Sequence, residues 1–246
     1  MQPAKRFSSW RRNRTDFAVI TWLASYPRSG NTLLRVILKQ CFGLSSQSLY
    51  DDAELDAPGV REVVGKEPHR FVNEVSHEAR SLYVKTHELP GRDAHPAIYV
   101  VRDGRSSAVS HRHFLGRQTS LSDVIRSEPS WSEHVEAWAL SNRPNTLVVR
   151  YEKLAVADPH VLQQIAAFLD RPLLHAFDTS FDTLHALNPQ IFRRGSDAAN
   201  IAEMDAVSLR LFEDLHGATL RRIGYGALPA GITRLSTRAE NNFLPR

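Results

Sequence analysis

A phosphate-binding pattern follows the first strand-like stretch of the sequence. The apolar run Val19–Ala24 leads into Ser25–Thr32, which reads Ser-Tyr-Pro-Arg-Ser-Gly-Asn-Thr, and a helical pattern begins at Asn31. In a strand–loop–helix unit of this kind, backbone N–H groups and the helix dipole converge on an anion. The spacing therefore predicts an anion-binding loop, although a Gly/Pro turn without a ligand has the same spacing.

This loop differs from the nucleoside-triphosphate pattern G-x-x-x-x-G-K-[ST]. Gly30 and Thr32 match that pattern, whereas Ser25 replaces its first glycine and Asn31 replaces the lysine that reaches the β- and γ-phosphates. Arg28 supplies a cation from within the loop instead. The residues thus favour a phosphate-like ligand other than a simple triphosphate.

A second candidate anion site follows another apolar run. Ile98–Val101 leads into Arg102, and Ser110 comes eight residues later in a helical pattern. Both side chains can face a second phosphate beside the first loop, because parallel strands present their carboxyl ends at one edge of a sheet. An ordinary strand-to-helix connection would explain this segment if it stood alone.

Taken together, these stretches resemble the sulfotransferases that use 3′-phosphoadenosine 5′-phosphosulfate (PAPS). Tyr26–Thr32 is similar to the 5′-phosphosulfate loop of that family, and Val100–Ser110 is similar to its 3′-phosphate motif. Five further matches follow the family order: Lys85–His87, Ser130–Trp138, Arg150–Leu154, Thr179–Phe181 and Phe192–Gly195. They extend over residues of about 20 to 225, which is nearly the whole chain.

The resemblance implies a role for each matched position. It implies that the 5′-phosphosulfate is held by Arg28, Ser29, Gly30, Asn31 and Thr32. It implies that the 3′-phosphate is held by Arg102, Ser110, Arg193, Arg194 and Gly195. The guanidinium groups of the three arginines would converge around a multivalent anion. It implies that the adenine is bordered by Tyr151, Phe181 and Leu184, with Leu33 on the other side. The catalytic residues implied are His87 as the general base, with Lys85 and Arg28 as the cations beside the transferred group.

The sequence departs from the family pattern at three points. Leu33 stands where well-known members carry a tryptophan against the adenine, and Arg28 replaces the usual lysine. Gly195 is not followed by the usual Gly-Asp-Trp, and the dimer motif that normally comes after it is missing. The sequence therefore leaves the oligomeric state open.

Sulfuryl transfer resembles phosphoryl transfer, in which an enzyme mainly positions the reactants and stabilises charge. The acceptor hydroxyl loses a proton as it attacks, which suits a neutral imidazole such as that of His87. Two other classes stay open at this point: a P-loop kinase-like phosphotransferase that uses ATP and Mg²⁺, and a non-catalytic nucleotide-binding module. Asn31 at the lysine position and Arg102 at a strand end disfavour the first, and Lys85 and His87 between the phosphate motifs disfavour the second.

Other conspicuous side chains have simpler interpretations. His111 and His113 are two residues apart and point to different sides of a helix, so we expect no metal site. The spacing of Trp131, His134 and Trp138 is typical of a packed helix face, and these residues are assigned to the core.

The elements around these motifs predict an α/β protein with a P-loop-type three-layer fold, in which helices flank a central, mostly parallel sheet. Its predicted strands are Val19–Ala24, Leu82–Lys85, Ile98–Val101 and Leu147–Arg150. Its predicted helices are Asn31–Phe42, Asp103–Phe114, Glu133–Leu140, Pro159–Leu169 and Asp205–Ile223.

Length and composition place these elements in one domain. We expect a basic tail over residues 1–16, a single domain over 17–228 with an irregular insertion at 45–79 near the substrate mouth, and a tail over 229–246. With 42% hydrophobic and 24% charged residues, the 246-residue chain is of the globular class.

The expected cellular location and partners follow from the same composition and motifs. Cys41 is the single cysteine, so no internal disulfide can form. That usage and the lack of an export signal lead us to expect a cytoplasmic protein without a membrane span. The expected partner is a small-molecule or biosynthetic-intermediate acceptor with a hydroxyl group, and we expect neither nucleic acid nor metal. PAPS is the expected co-substrate, and its desulfated form, 3′,5′-ADP (PAP), the product.

Overall fold

The computed structural model describes residues 19–50, 62–63 and 81–226, which form a parallel sheet flanked by helices. The sheet has six strands in the order β3-β2-β4-β1-β5-β6, and every neighbouring pair is parallel. The strands are β1 (Val19–Ser25), β2 (Gln47–Ser48), β3 (Glu62–Val63), β4 (Ser81–Thr86), β5 (Ala97–Val101) and β6 (Thr146–Arg150).

Helices connect these strands and cover both faces of the sheet. They are α1 (Asn31–Phe42), α2 (Gly104–Leu115), α3 (Leu121–Ile125), α4 (Trp131–Val135), α5 (Tyr151–Ala155), α6 (Pro159–Leu169), α7 (Phe181–Leu187), α8 (Asp197–Ile201) and α9 (Ala206–Arg222). A π-helical turn, Glu136–Leu140, continues α4. Within the described ranges, none of these helices is long and apolar enough to cross a membrane.

Two apolar cores lie on opposite faces of the sheet, because successive side chains of a strand point to opposite sides. On β5, Ile98 and Val100 belong to the core under α1 and α6, whereas Tyr99 and Val101 belong to the core that contains Trp131 and Trp138. The result is the predicted three-layer fold, which is confirmed.

The sheet topology gathers the predicted site residues at one edge. β1 lies between β4 and β5, so the carboxyl ends of these three strands are adjacent. Ser25 and Thr86 end β1 and β4, and Arg102 follows β5 directly. The residues after these ends are those that the sequence singled out.

Helix termini fix the segments that leave this edge. Asp103 caps α2 by accepting a hydrogen bond from the backbone N–H of Arg105. Ser130 and Glu133 form a capping box at the start of α4. These caps set the directions in which α2 and α4 depart from the site.

The four predicted strands are confirmed, with bounds that differ by one residue at most at each end. The interpretation of residues 45–79 as irregular was wrong at two places: β2 pairs with β4, and β3 pairs with β2. Both strands have only two residues, too short for an alternating pattern. The rest of 51–80 and the tails predicted at 1–16 and 229–246 lie outside the described residues.

Three predicted helices also need correction. The helix predicted at Asp103–Phe114 lies one residue later at each end, over Gly104–Leu115, because Asp103 is its N-cap. The helix predicted at Glu133–Leu140 begins at Trp131, where the Ser130 cap sets its start, and changes to π-helical hydrogen bonding at Glu136. The last predicted helix, Asp205–Ile223, is shorter by one residue at each end because Asp205 is its N-cap and Ile223 its C-cap.

Candidate active site

A cavity of about 340 Å³ opens at the carboxyl ends of β1, β4 and β5. It brings together all but two of the predicted site residues: Arg28, Gly30, Asn31, Thr32, Leu33, Lys85, His87, Arg102, Ser110, Tyr151, Phe181, Arg193, Arg194 and Gly195. None of the described residues that line it is acidic. The cavity is therefore suited to a ligand with several negative charges.

The two remaining predicted residues lie behind the cavity wall. Ser29 is buried, and its hydroxyl oxygen lies 3.0 Å from that of Ser107 on α2. Leu184 is buried in the apolar core beside Leu33. Neither side chain faces the cavity. Both are buried within the wall that surrounds it.

The anion loop, Arg28–Thr32, presents backbone groups to the cavity. Gly30 is the N-cap of α1 with φ of 105°, and no side chain caps the helix there. A Cβ at Gly30 would lie 2.5 Å from the Tyr151 ring, so only glycine allows this close approach. The uncapped N–H groups and the helix dipole are features that suit an anion, and anion binding at this loop stays a prediction.

The Asn31 side chain points away from the anion loop. Its amide nitrogen donates to the carbonyl oxygen of Leu23 at 2.7 Å, inside the sheet. Asn31 thus ties the first turn of α1 to β1, and only its backbone N–H is available to a ligand in the cavity.

Arg28 spans the cavity opening. Its Nη2 donates to the carbonyl oxygens of Gln190 and Ile191 at 2.9 and 2.7 Å, and its Nε lies 3.4 Å from the hydroxyl of Ser110. Burial and, to a lesser extent, the nearby charge of Arg102 together lower the pKa of Arg28 to about 10. An anion in the cavity would relieve this crowding of positive charge.

Arg102 is held by a carboxylate and an aromatic ring. Its Nε and Nη2 lie 2.7 and 2.5 Å from Oδ1 of Asp197, and its Nη1 donates to the carbonyl oxygen of Arg28. Its guanidinium carbon is 4.0 Å from the ring centroid of Tyr151. The same Asp197 oxygen accepts a hydrogen bond from the hydroxyl of Ser106.

Arg193 and Arg194 pair with a second carboxylate. Their guanidinium groups lie 3.0 and 3.3 Å from Oε1 of Glu203, and Arg193 also donates to the side-chain oxygen of Asn200. Each of these arginines therefore has a protein carboxylate as a partner, and their convergence around an anion stays a prediction. The Nε of Arg193 is buried without a partner among the described residues.

His87 lies at the centre of the cavity, directly after β4. Its Nδ1 is 2.7 Å from the carbonyl oxygen of Ser25, and a carbonyl can only accept, so Nδ1 carries a proton. Burial lowers the pKa of His87 well below its ordinary value, and the charge of Lys85 lowers it further. The ring is therefore neutral, and Nε2 is its basic nitrogen.

Lys85 reaches the cavity from the end of β4. Its side chain is 6% exposed, and its Nζ lies 5.5 Å from the centroid of the Tyr50 ring. Lys85 lies on β4 two residues before His87, so the strand fixes the spacing between the ammonium group and the imidazole.

The predicted adenine border is apolar on two sides. Phe181 packs against Gly195, where an added Cβ would lie 2.7 Å from its ring. Gly195 has φ of 60°, so glycine is favoured there for its conformation as well. Leu33 and Tyr151 face the same cavity.

Sequence reasoning missed the residues that support this site. His134 and Trp138, assigned to the core, donate hydrogen bonds to the carbonyl oxygens of His87 and Glu88. Tyr50, His111 and Phe114 line the cavity without having been predicted. The sequence signal that could have identified them was the imidazole N–H of His134 and the indole N–H of Trp138, because such groups need hydrogen-bond partners when buried.

The two helical histidines point to different surroundings, as predicted. His111 faces the cavity, whereas His113 lies 2.6 Å from a carboxylate oxygen of Glu203. Burial lowers the pKa of His111 to about 4, and the charge of Arg28 acts in the same direction. In the part of the chain that the structure describes, no group of three or more His, Cys, Asp or Glu side chains could hold a metal ion.

The segment after α9 is held by hydrogen bonds to α2, β6 and α5. The backbone carbonyl of Tyr225 accepts from Arg105, and that of Ile223 accepts from Arg150. The Tyr225 hydroxyl donates to Glu152 at 2.7 Å. Burial raises the pKa of Glu152 to about 7, and the neighbouring Asp197 carboxylate also raises it.

Comparison with known sequences identifies one family over most of the chain. Residues 20–195 match the profile of the sulfotransferase domain. A WSCD family member of Drosophila pseudoobscura pseudoobscura is 36% identical over 174 residues, which are 63% of this chain and 52% of that protein. Cytosolic sulfotransferase 3 of Arabidopsis thaliana is 26% identical over 171 residues, 61% of this chain and 52% of its own length. The chain therefore spans about half the length of the curated relatives it matches.

Solved structures share the fold at low sequence identity. A mouse sulfotransferase complexed with PAP has a TM-score of 0.59 at 19% identity, covering 84% of this chain and 85% of that one. A retinol dehydratase in complex with androsterone and inactive cofactor PAP has a TM-score of 0.55 at 19% identity, covering 82% and 81% of the two chains. At this identity the likeness concerns the fold alone.

Proposed function

Because this chain belongs to the sulfotransferase domain family, we propose that it transfers the sulfuryl group of PAPS to a hydroxyl of a small-molecule or biosynthetic-intermediate acceptor. Residues 17–228 form the catalytic domain in this proposal. The family supports the reaction class, and the two PAP complexes among the similar structures support the nucleotide. The arrangement of the cavity residues supports the roles proposed below.

The cavity fits a nucleotide with anionic groups at both ends. The uncapped start of α1 would hold the 5′-phosphosulfate through its backbone N–H groups, with Arg28 beside it. Arg102, Ser110, Arg193 and Arg194 would hold the 3′-phosphate, for which the partnerless Nε of Arg193 is a ready donor. Tyr151, Phe181 and Leu33 would border the adenine.

When bound, PAPS supplies an activated sulfuryl group on a phosphate leaving group. His87 accepts the acceptor's proton at Nε2 while the acceptor oxygen bonds to sulfur and the bond from sulfur to the 5′-phosphate oxygen breaks. Lys85 and Arg28 stabilise the negative charge that develops on the sulfuryl and leaving phosphate oxygens.

The hydrogen bond between Nδ1 of His87 and the Ser25 carbonyl oxygen carries this proposal. It fixes the tautomer in which Nε2 can take a proton, and it does so between the anion loop and Lys85. Such a neutral, oriented imidazole is what a general base requires.

Incubation of the purified chain with radiolabelled PAPS and a library of hydroxyl compounds tests the reaction. We expect transfer that is unaffected by EDTA and no transfer from ATP with Mg²⁺. Turnover of ATP dependent on Mg²⁺ would favour a kinase-like enzyme, and nucleotide binding without any turnover would indicate a binding module.

Substitution of His87 tests the base. His87→Ala should lower kcat by about 10²–10⁴-fold while the Kd for PAP stays nearly unchanged, because a general base acts on the reaction rather than on nucleotide binding. His160→Ala, at an exposed position of α6, is the control. A His87→Ala enzyme that retained more than about a tenth of kcat would contradict the assignment.

Arg28 should act on the transition state. Arg28→Ala should lower kcat by about 10²-fold, whereas Arg28→Lys should have a mild effect because a cation is kept. If Arg28→Ala changed KM alone, Arg28 would bind ground and transition states equally.

A further inference from the structure

Three side chains hold the backbone on both sides of His87. The backbone N–H of His87 donates to the Tyr50 hydroxyl at 2.7 Å, and its carbonyl oxygen accepts from Nε2 of His134 at 3.0 Å. The next carbonyl, that of Glu88, accepts from the indole N–H of Trp138 at 2.9 Å. With Nδ1 on Ser25, these bonds engage every polar atom of His87 except Nε2.

These contacts replace the hydrogen bonds that a strand would provide. β4 ends at Thr86, so His87 lies one residue beyond the ladder that fixes Lys85 against β1. A base must nevertheless lie within about 0.5 Å of its productive position. The position of the His87 carbonyl is instead fixed by the side chain of His134, which belongs to α4.

His134 is built to donate in this direction only. Because a carbonyl cannot donate, Nε2 of His134 carries its proton, and Nδ1 then accepts from the Tyr99 hydroxyl at 3.1 Å. His134 is fully buried, its ring stacks on Tyr99, and burial lowers its pKa to about 4. The ring therefore stays neutral, with one fixed tautomer, throughout the physiological pH range.

We propose that His134 is a positioning residue for the base: by donating a hydrogen bond to the backbone carbonyl of His87, His134 sets the orientation of His87. This inference rests on the proposed role of His87 in proton transfer. His134 itself contacts neither the cavity nor, by this geometry, the reacting atoms.

A second buried histidine offers a matched control. Nδ1 of His216 pairs with the Ser132 hydroxyl at 2.8 Å, and its Nε2 donates to the carbonyl oxygen of Ile125 at 2.9 Å. His216 has the same bonding pattern and is 3% exposed, but it joins α9 to α4 and α3 and does not contact His87. At either position, loss of the imidazole removes a buried ring that links a hydroxyl group to a backbone carbonyl, so the two losses are comparable.

The experiment compares phenylalanine and glutamine at both positions. His134→Phe keeps the ring volume and removes the donor, so kcat per PAP-binding site should fall about 30–100-fold with little change in KM for PAPS. His134→Gln keeps a donor of similar reach and should restore kcat to within about fivefold of the wild type. His216→Phe and His216→Gln should lower thermal stability and leave kcat within about twofold.

A readout that needs no turnover accompanies the kinetics. The pKa of the His87 imidazole, followed by NMR in the free protein, should rise toward 6.5 in His134→Phe, because the released carbonyl admits water against the ring. It should not move in His216→Phe. If the wild type fails to use PAPS, the proposed function fails, but this titration still tests the positioning.

Three results would overturn the inference. They are equal kcat losses in His134→Phe and His216→Phe, an unchanged His87 pKa in His134→Phe, or a His134→Gln variant no better than His134→Asn, whose side chain is too short to reach the carbonyl. The Gln–Asn comparison decides the matter if His134→Phe does not fold.

Discussion

At the loop end of the cavity, Arg28–Thr32, a bound anion would meet backbone N–H groups fixed by the start of α1, whereas at the arginine end it would meet Arg102, Arg193 and Arg194. The loop end depends on a backbone conformation that Gly30 permits. At the arginine end, Asp197 and Glu203 already neutralise the guanidinium groups. The first end is a rigid geometric site, and the second is a set of charges with protein counterions.

This difference means that an anion gains affinity in a different way at each end. Backbone N–H groups that are not capped lose only water when an anion arrives. Arginines that pair with carboxylates must exchange one anionic partner for another, so the net gain is smaller. We therefore expect loop substitutions to act through shape and substitutions at the arginine end to act through charge.

The largest effect is expected from Gly30→Ala. A Cβ would meet the Tyr151 ring at 2.5 Å, and alanine disfavours a φ of 105°. Overpacking and backbone strain together cost on the order of 4 kcal/mol, about 10³-fold in the Kd for 3′,5′-ADP measured by calorimetry. Gly116→Ala is the control, since Gly116 has φ of 93° and open space around it. Equal nucleotide affinity of the two variants would show that the loop adapts.

Arg102→Ala should have the next largest effect, and it should be specific for the 3′-phosphate. Charge-assisted hydrogen bonds are worth about 1.5–3 kcal/mol each, so the wild type should bind 3′,5′-ADP roughly a hundredfold more tightly than 5′-AMP. The variant should lose most of that preference and bind 5′-AMP about as before. A wild type with equal affinity for both nucleotides would mean that the arginine end does not bind a 3′-phosphate.

Removal of a counterion should act in the opposite direction. Glu203→Gln releases Arg193 and Arg194 from their shared carboxylate, so affinity for 3′,5′-ADP should rise by about three- to tenfold while that for 5′-AMP stays constant. Glu213→Gln, which removes the exposed partner of Arg221, is the control. A weaker bisphosphate complex in Glu203→Gln would show that the carboxylate orients the arginines more than it competes for them.

The smallest effect concerns pH and the carboxyl group behind Arg102. Burial raises the pKa of Glu152 to about 7, above the ordinary 4.5, so the folded protein holds an extra proton between these values. The free energy of unfolding should therefore fall as pH rises through this window. Glu152→Gln should abolish that fall in denaturation at pH 5 and pH 8. The exposed Glu128→Gln should retain it, and a slope common to both variants would place the titration elsewhere.

The four longer strands and the residues at their carboxyl ends could be predicted because their signals are local. An apolar run with a phosphate motif at its end specifies a parallel strand and a site residue together, as at Ile98–Val101 and Arg102. β2 and β3 could not be predicted, since two-residue strands exist only through their pairing with β4.

The partners of the site residues could not be predicted for a different reason. Asp197 lies 95 positions from Arg102, and His134 lies 47 positions from His87. Charged residues and the spacing of aromatic residues are visible in the sequence. The hydrogen-bond partner of a buried N–H group or carboxylate is not, because it depends on how distant helices pack. His134 therefore looked like an ordinary core residue.

The hydrogen bonds of Ile223–Tyr225 have a consequence for biosynthesis. They join Arg105, Arg150 and Glu152 to the end of the described chain, so this part of the fold is assembled from segments made early and from residues made later. Ribosomes add residues from the N-terminus, and domains fold as units while synthesis proceeds. A nascent chain that has exposed the whole region matching the sulfotransferase-domain profile, residues 20–195, still lacks these bonds. The last of them can form only after Tyr225 has left the exit tunnel.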